Sequence, residues 1–177
     1  MVKRRRAASA REISIFAMFG ALMFASKYVM EVLPNIHLLA LFIGTLTVVY
    51  RRRALIPLYV YVFLDGLVHG FSLWWVAYLY IFLPLFFGFL LIPRRAPRWL
   101  KAILYPTVAG LHGLFFGILY LPAQILFFGL DTWEKIVAWV AAGALFDITH
   151  ALSNAIFATL ILPFSALLLR LEKQSQK

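Results

Sequence analysis

The chain has 177 residues, of which 64% are hydrophobic and 14% are charged, and its formal net charge is +10. A soluble domain has about 45–50% apolar and about 25% charged residues, so this composition indicates a membrane protein with a single transmembrane domain over residues 1–177. Because the chain contains no cysteine, a disulfide framework, a cysteine-ligated zinc site and a cysteine nucleophile are excluded.

Residues 1–12 form a basic tail, and an apolar run of 21 residues follows from Ile13 to Leu33. A basic tail before an apolar run is also typical of a signal peptide. This run is long enough to cross a hydrocarbon core of roughly 30 Å, and it contains Lys27 and Glu31. We therefore predict a retained first span.

Pro34 ends the first span, because proline cannot continue a helix without strain. The next apolar run, Leu38 to Tyr50, reaches only about 20 Å as a helix. Either the bilayer thins there, or the preceding segment "LPNIH" dips into the outer leaflet and lines a cavity. Further spans are predicted at 54–71, 73–92 and 102–121.

The last apolar stretch, Ile136 to Leu169, is too long for one span. We divide it near Gly143. Residues 131–143 begin with Asp131 and Glu134 at capping-box spacing and predict an extra surface or re-entrant helix on the outer side. The sixth span is predicted at 146–170, with a tail at 171–177.

Lysine and arginine are distributed unevenly along the chain. Fifteen of the 17 lie in the N-terminal tail, the 51–53 turn, the 93–101 loop and the C-terminal end. The positive-inside rule then predicts an all-α protein with six transmembrane helices and both termini in the cytoplasm. This placement explains the excess of basic residues without a nucleic-acid partner. The basic residues would face the anionic headgroups of membrane lipids.

Ionisable residues inside a membrane are costly and indicate function. Here the polar residues and their aromatic neighbours gather near the outer ends of the spans. Lys27 and Glu31 belong either to that group or to a simple ion pair one helical turn apart, and the tryptophans also fit an aromatic belt. His112 fits a helix-packing hydrogen bond. The candidate solute-binding residues are Asn35, His37, Asp65, His69, Trp74, Tyr78, Gln124, Asp147, His150 and Asn154.

Two pairs within this group, Asp65 with His69 and Asp147 with His150, have the spacing of metal ligands on a helix. If the two faces met, the chain could be a small intramembrane metal-dependent enzyme. A structural membrane subunit that binds no solute is another alternative. The sequence contains no H-E-x-x-H motif and no phosphate-binding loop. No motif therefore supports intramembrane protease activity or nucleotide hydrolysis by this chain.

The first span also carries a stripe of small residues: Ala17, Ala21 and Ala25 recur every fourth residue and share one helix face. Small residues let helices approach closely in a membrane, so the stripe packs either inside the chain or against a partner. With six predicted spans, an outer polar group and the loop "LPNIHLL", this stripe resembles the substrate-binding (S) components of energy-coupling factor (ECF) vitamin importers. The resemblance covers nearly the whole chain.

This resemblance implies a non-enzymatic component of a prokaryotic plasma membrane. It would capture a small vitamin, vitamin precursor or nucleobase-like solute at the outer face and would use no cofactor of its own. The alanine stripe would dock on a transmembrane coupling subunit, which two ATPase subunits drive. The chain starts Met-Val-Lys, unlike the cobalt and nickel importers, which carry histidine after the first methionine.

Overall fold

The computed structural model describes residues 9–174, which form helices joined by short turns and contain no strand. Tight helical turns at 51–54 and 77–79 join neighbouring helices. The α-helices, in chain order, are α1 (Ala10–Val29), α2 (Leu39–Tyr50), α3 (Leu55–His69), α4 (Leu73–Val76), α5 (Leu83–Leu91), α6 (Arg98–Leu114), α7 (Phe116–Phe128), α8 (Trp133–Ala158) and α9 (Ile161–Gln174).

Four helical stretches of the described chain are long and apolar enough to cross a membrane. The composition-based prediction of an all-α membrane protein is confirmed at this level. α2 and α3, with 12 and 15 residues, are shorter than these four stretches. The four stretches are Ala10–Val29, Leu73–Leu91, Arg98–Phe128 and Trp133–Ala158.

The short helix α2 lies at the centre of the bundle. Leu39, Leu41, Ile43 and Leu46 are all buried, and α1, α5, α8 and α9 pack around the helix. A helix that is apolar on every side suits the core of a bundle or contact with lipid. The buried hydroxyl of Thr47 is satisfied within the helix, because it donates to the carbonyl of Ile43 at 2.6 Å.

The predicted division of the last apolar stretch is wrong. α8 continues through Gly143 to Ala158, and the chain breaks instead at 159–160. A single glycine costs a helix only about 1 kcal/mol, whereas Pro163 has no N–H to donate to the carbonyl four residues earlier. The break therefore lies one turn before Pro163. The N-cap of α8 is Thr132 and not Asp131.

The ends of α1 define two ends of the bundle. At its start, Glu12 pairs with Arg53, and Arg11 pairs with Glu172 of α9 at 3.4 Å. At its other end, Lys27 pairs with Asp65 of α3 at 2.8 Å. The 51–53 turn thus lies at the start of α1, which we call the basic end, and Asp65 lies at the opposite, polar end.

Candidate solute-binding pocket

A cavity of about 140 Å³ lies at the polar end, between the end of α1, the 30–38 connection, and side chains from the bundle below. The connection turns sharply at Asn35, whose φ of 60° is a left-handed conformation that asparagine tolerates. The lining residues are Lys27, Met30, Glu31, Leu33, Pro34, Asn35, Ile36, His37, Leu39, Tyr78, Phe82, Phe116 and His150.

Lys27, which lines the cavity, belongs to an ion pair. The ammonium of Lys27 donates to Asp65 Oδ1 at 2.8 Å, and the Asp65 side chain is 0% exposed. A buried carboxylate needs such a partner to remain charged. An ammonium has three hydrogens to donate, and Lys27 also lies 5.7 Å from the centre of the Tyr78 ring. Lys27 can therefore donate to a molecule in the cavity without leaving Asp65.

The ion pair between Lys27 and Glu31, weighed from their spacing, is not formed. Glu31 lies 3.6 Å from His69 Nε2 instead, and the other ring nitrogen of His69 lies 3.2 Å from the carbonyl of Asp65. His69 thus sits outside the cavity and links the end of α1 to α3. Its spacing to Asp65 reflects this hydrogen bond.

The cavity also contains two histidines from distant parts of the chain. The rings of His37 and His150 lie 4.7 Å apart, nearly perpendicular, and Phe116 packs 4.6 Å from His150. His150 is 2% exposed, and neither of its ring nitrogens has a hydrogen-bond partner. Burial lowers the pKa of His37, in the connection, to about 4. His150 thus presents two unused hydrogen-bonding atoms beside the cavity.

The remaining predicted residues lie outside this lining. Asp147 accepts the N–H of Gly117 at 3.1 Å, which ties α8 to the start of α7. Asn154 is 1% exposed, and neither atom of its amide has a partner. Trp74 packs on Tyr78 with ring centres 5.5 Å apart, and Gln124 is buried on α7. The assignment of these residues to a binding site stays a prediction.

Several lining residues were missed by the sequence interpretation. Phe82 and Phe116 are apolar residues in apolar helices, so nothing distinguishes them from core residues.

His112 does not line this cavity. Interpreted from sequence as a packing residue, it contacts the carbonyl of Ile81 through Nε2 at 2.9 Å, and its ring centre lies 6.3 Å from that of His150.

The metal-site alternative needed two Asp–His pairs to meet. Within residues 9–174, no group of three or more His, Asp or Glu side chains is arranged to hold a metal ion. Asp65 faces Lys27, whereas Asp147 faces the backbone of Gly117. Each carboxylate therefore has a structural partner of its own.

The alanine stripe points away from the bundle. Ala17, Ala21 and Ala25 are all exposed, whereas α1 buries Phe16, Gly20 and Met23. The alternative of a packing seam inside the chain is therefore wrong for these alanines.

No family model matches the chain, and no curated protein and no solved structure matches it significantly.

Proposed function

We propose that this protein is the substrate-binding S component of an ECF-type importer. The observation that carries the proposal is the cavity at the polar end, where the unpartnered imidazole of His150 and the ammonium of Lys27 lie beside one space. Unsatisfied polar groups in a membrane protein are costly, and a bound solute would satisfy them.

The proposed topology has six spans, with α2 and α3 as the two short ones and both termini in the cytoplasm. The positive-inside rule supports it, because the basic end of the bundle carries the 51–53 turn. The cavity lies at the other end of α1, which would face the outside of a prokaryotic plasma membrane.

The size of the cavity limits the solute. A cavity of about 150 Å³ holds one benzene molecule, and this cavity measures about 140 Å³. Tyr78, Phe82 and Phe116 offer aromatic surfaces, and Lys27 offers hydrogens to an acceptor. These features support a single heteroaromatic ring, such as a vitamin precursor or a nucleobase-like compound.

The proposed partners are a transmembrane coupling subunit and two ATPase subunits. The chain has no nucleotide-binding motif, so energy for uptake would come from those partners. The exposed stripe of Ala17, Ala21 and Ala25 supports the docking, because small residues permit close helix approach within lipid.

Purification of the tagged protein from its own host membranes, followed by native mass spectrometry, tests the proposal. We expect one small molecule bound to the protein, together with a membrane subunit and an ATPase pair. A protein that retains no small molecule and no ATPase, even after gentle extraction, would contradict the proposal and favour a structural subunit.

A further inference from the structure

The basic end of the bundle contains a second cavity, of about 390 Å³, between α2, the 92–97 loop, α6 and α9. Arg51, Arg94 and Lys101 supply its cationic lining, and Tyr105 also lines it. Val48, Ile92 and Leu169 belong to its apolar lining. The cavity thus combines cationic groups with hydrocarbon at one end of a membrane bundle.

The three cations of this cavity differ from Arg11 and Arg53, which lie at the same end. Arg11 pairs with Glu172 and Arg53 pairs with Glu12. Among residues 9–174, no carboxylate lies within ion-pair distance of Arg51, Arg94 or Lys101. Arg51 donates instead to the carbonyl of Leu90, and Lys101 donates to the carbonyl of Arg94 at 2.6 Å.

The helix backbone adds to the positive charge around this cavity. Lys101 lies in the first turn of α6, which has no acidic residue and no side-chain cap. A helix N-terminus favours anions, so a cation there is unfavourable unless an anion lies nearby. Arg51 has a positive φ of 55°, a conformation that non-glycine residues rarely adopt. Burial and the charge of Arg94 lower the pKa of the Arg51 guanidinium.

We propose that this cavity binds the phosphate of an anionic phospholipid headgroup, with Arg94 and Lys101 as the main ligands. A phosphate oxygen would accept hydrogen bonds from the guanidinium and the ammonium and would offset the repulsion between neighbouring cations. Each cation near a membrane surface adds to the attraction for anionic lipid.

The apolar lining selects a lipid over a soluble phosphate. Val48, Ile92 and Leu169 would lie beside the glycerol backbone and the first methylene groups of an acyl chain. A free phosphate ion gains nothing from these side chains, whereas a lipid buries apolar surface against them. The site is independent of the solute cavity at the polar end.

The test compares two variants of equal charge change in the full-length protein. R94Q/K101Q removes two cations that line the cavity, and R95Q/R98Q removes two exposed cations from the same segment that do not. Native mass spectrometry in detergent counts bound dioleoylphosphatidylglycerol against dioleoylphosphatidylcholine. We expect wild type and R95Q/R98Q to retain phosphatidylglycerol equally within about twofold, and R94Q/K101Q to lose roughly 10- to 30-fold in affinity.

Equal loss in both variants would overturn the proposal, because the effect would then be general surface charge. Wild-type protein that takes up both lipids equally would also overturn it. If millimolar inorganic phosphate displaces phosphatidylglycerol, and phosphate alone stabilises the protein as much as the lipid does, the lipid assignment is overturned in favour of a soluble anion. If R94Q/K101Q does not fold, the single R94Q against R95Q provides the same comparison.

Discussion

The ammonium of Lys27 donates to the fully buried carboxylate of Asp65 at 2.8 Å and so joins two helices that are 38 residues apart in sequence. Asp65 Oδ2 has no hydrogen-bond partner, and His69 Nδ1 lies farther away, 3.6 Å from Asp65 Oδ1. The ion pair borders the cavity, and its loss would alter both stability and the proposed binding site.

Removing one partner of this pair should destabilise the protein strongly. Lys27→Met leaves a charged carboxylate buried without a partner, which costs about 3–5 kcal/mol. The double variant Lys27→Met/Asp65→Leu replaces both charges with apolar groups and should recover most of that loss. The free energy of unfolding is measured by titration with sodium dodecyl sulfate for wild type, for Lys27→Met, for Asp65→Leu and for the double variant. Strictly additive losses would mean that the pair contributes no coupling energy.

His150 and Asn154 provide a matched comparison on α8. Both are buried without hydrogen-bond partners, yet only His150 lines the cavity. His150→Leu should leave stability unchanged or raise it. It should lower affinity for the co-purified solute roughly 5- to 150-fold, since a solute group left buried without its hydrogen-bond partner costs about 1–3 kcal/mol.

If the solute contacts only the lining of this cavity, Asn154→Leu should leave that affinity within about twofold of wild type, and a larger loss would place Asn154 in the binding site as predicted from sequence. Melting temperature and solute affinity are measured on the same preparations. Lower stability of His150→Leu with unchanged affinity would assign His150 to packing and remove it from the pocket.

The sequence predicted helix ends best where nearby residues such as proline or a run of arginines end the helix. Pro34 and the basic residues at 51–53 bound α2, and the predicted span from Leu38 to Tyr50 differs from Leu39–Tyr50 by one residue. The division predicted at Gly143 was wrong because a single glycine only weakly disfavours a helix. The observed break lies one turn before Pro163, and the length of the apolar stretch alone does not indicate its position.

The candidate site was less accessible to sequence. His37 and His150 were both identified as polar residues at one level of the membrane, and they do meet. The partner of Lys27 was ambiguous, because spacing reveals neighbours on one helix and Asp65 lies on another. Phe82 and Phe116 carry no local signal, since only the tertiary packing of separate helices turns an apolar residue toward a cavity.

Neighbouring residues of α1 should separate folding from assembly. Gly20 is buried against α3, and a Cβ there would lie 2.6 Å from Val60 Cβ and 3.0 Å from the carbonyl of Pro57. Gly20→Ala should therefore lower the stability of the isolated protein by about 1–3 kcal/mol through overpacking.

Ala21, one residue later, is exposed. Ala21→Leu should leave the isolated protein as stable as wild type and should abolish co-purification of the proposed ATPase pair, because leucine prevents close helix approach. Ala141→Leu, at an exposed alanine of α8, is the control and should assemble normally. Normal assembly of Ala21→Leu would remove the stripe from the docking surface.

Single cysteines in this cysteine-free chain should reveal both the topology and the cover of the cavity. Ile36 lines the cavity, Glu134 is exposed at the start of α8, and Arg95 is exposed near the basic end. In intact cells, a membrane-impermeant thiol reagent should label Ile36→Cys and Glu134→Cys, and should label Arg95→Cys only after permeabilisation. Adding the co-purified solute should slow labelling at position 36, because Ile36 lines the cavity and a molecule bound there would cover it, and should leave position 134 unchanged. Labelling of position 95 in intact cells would contradict the six-span topology, and equal rates at position 36 with and without solute would show that this connection does not cover the binding site.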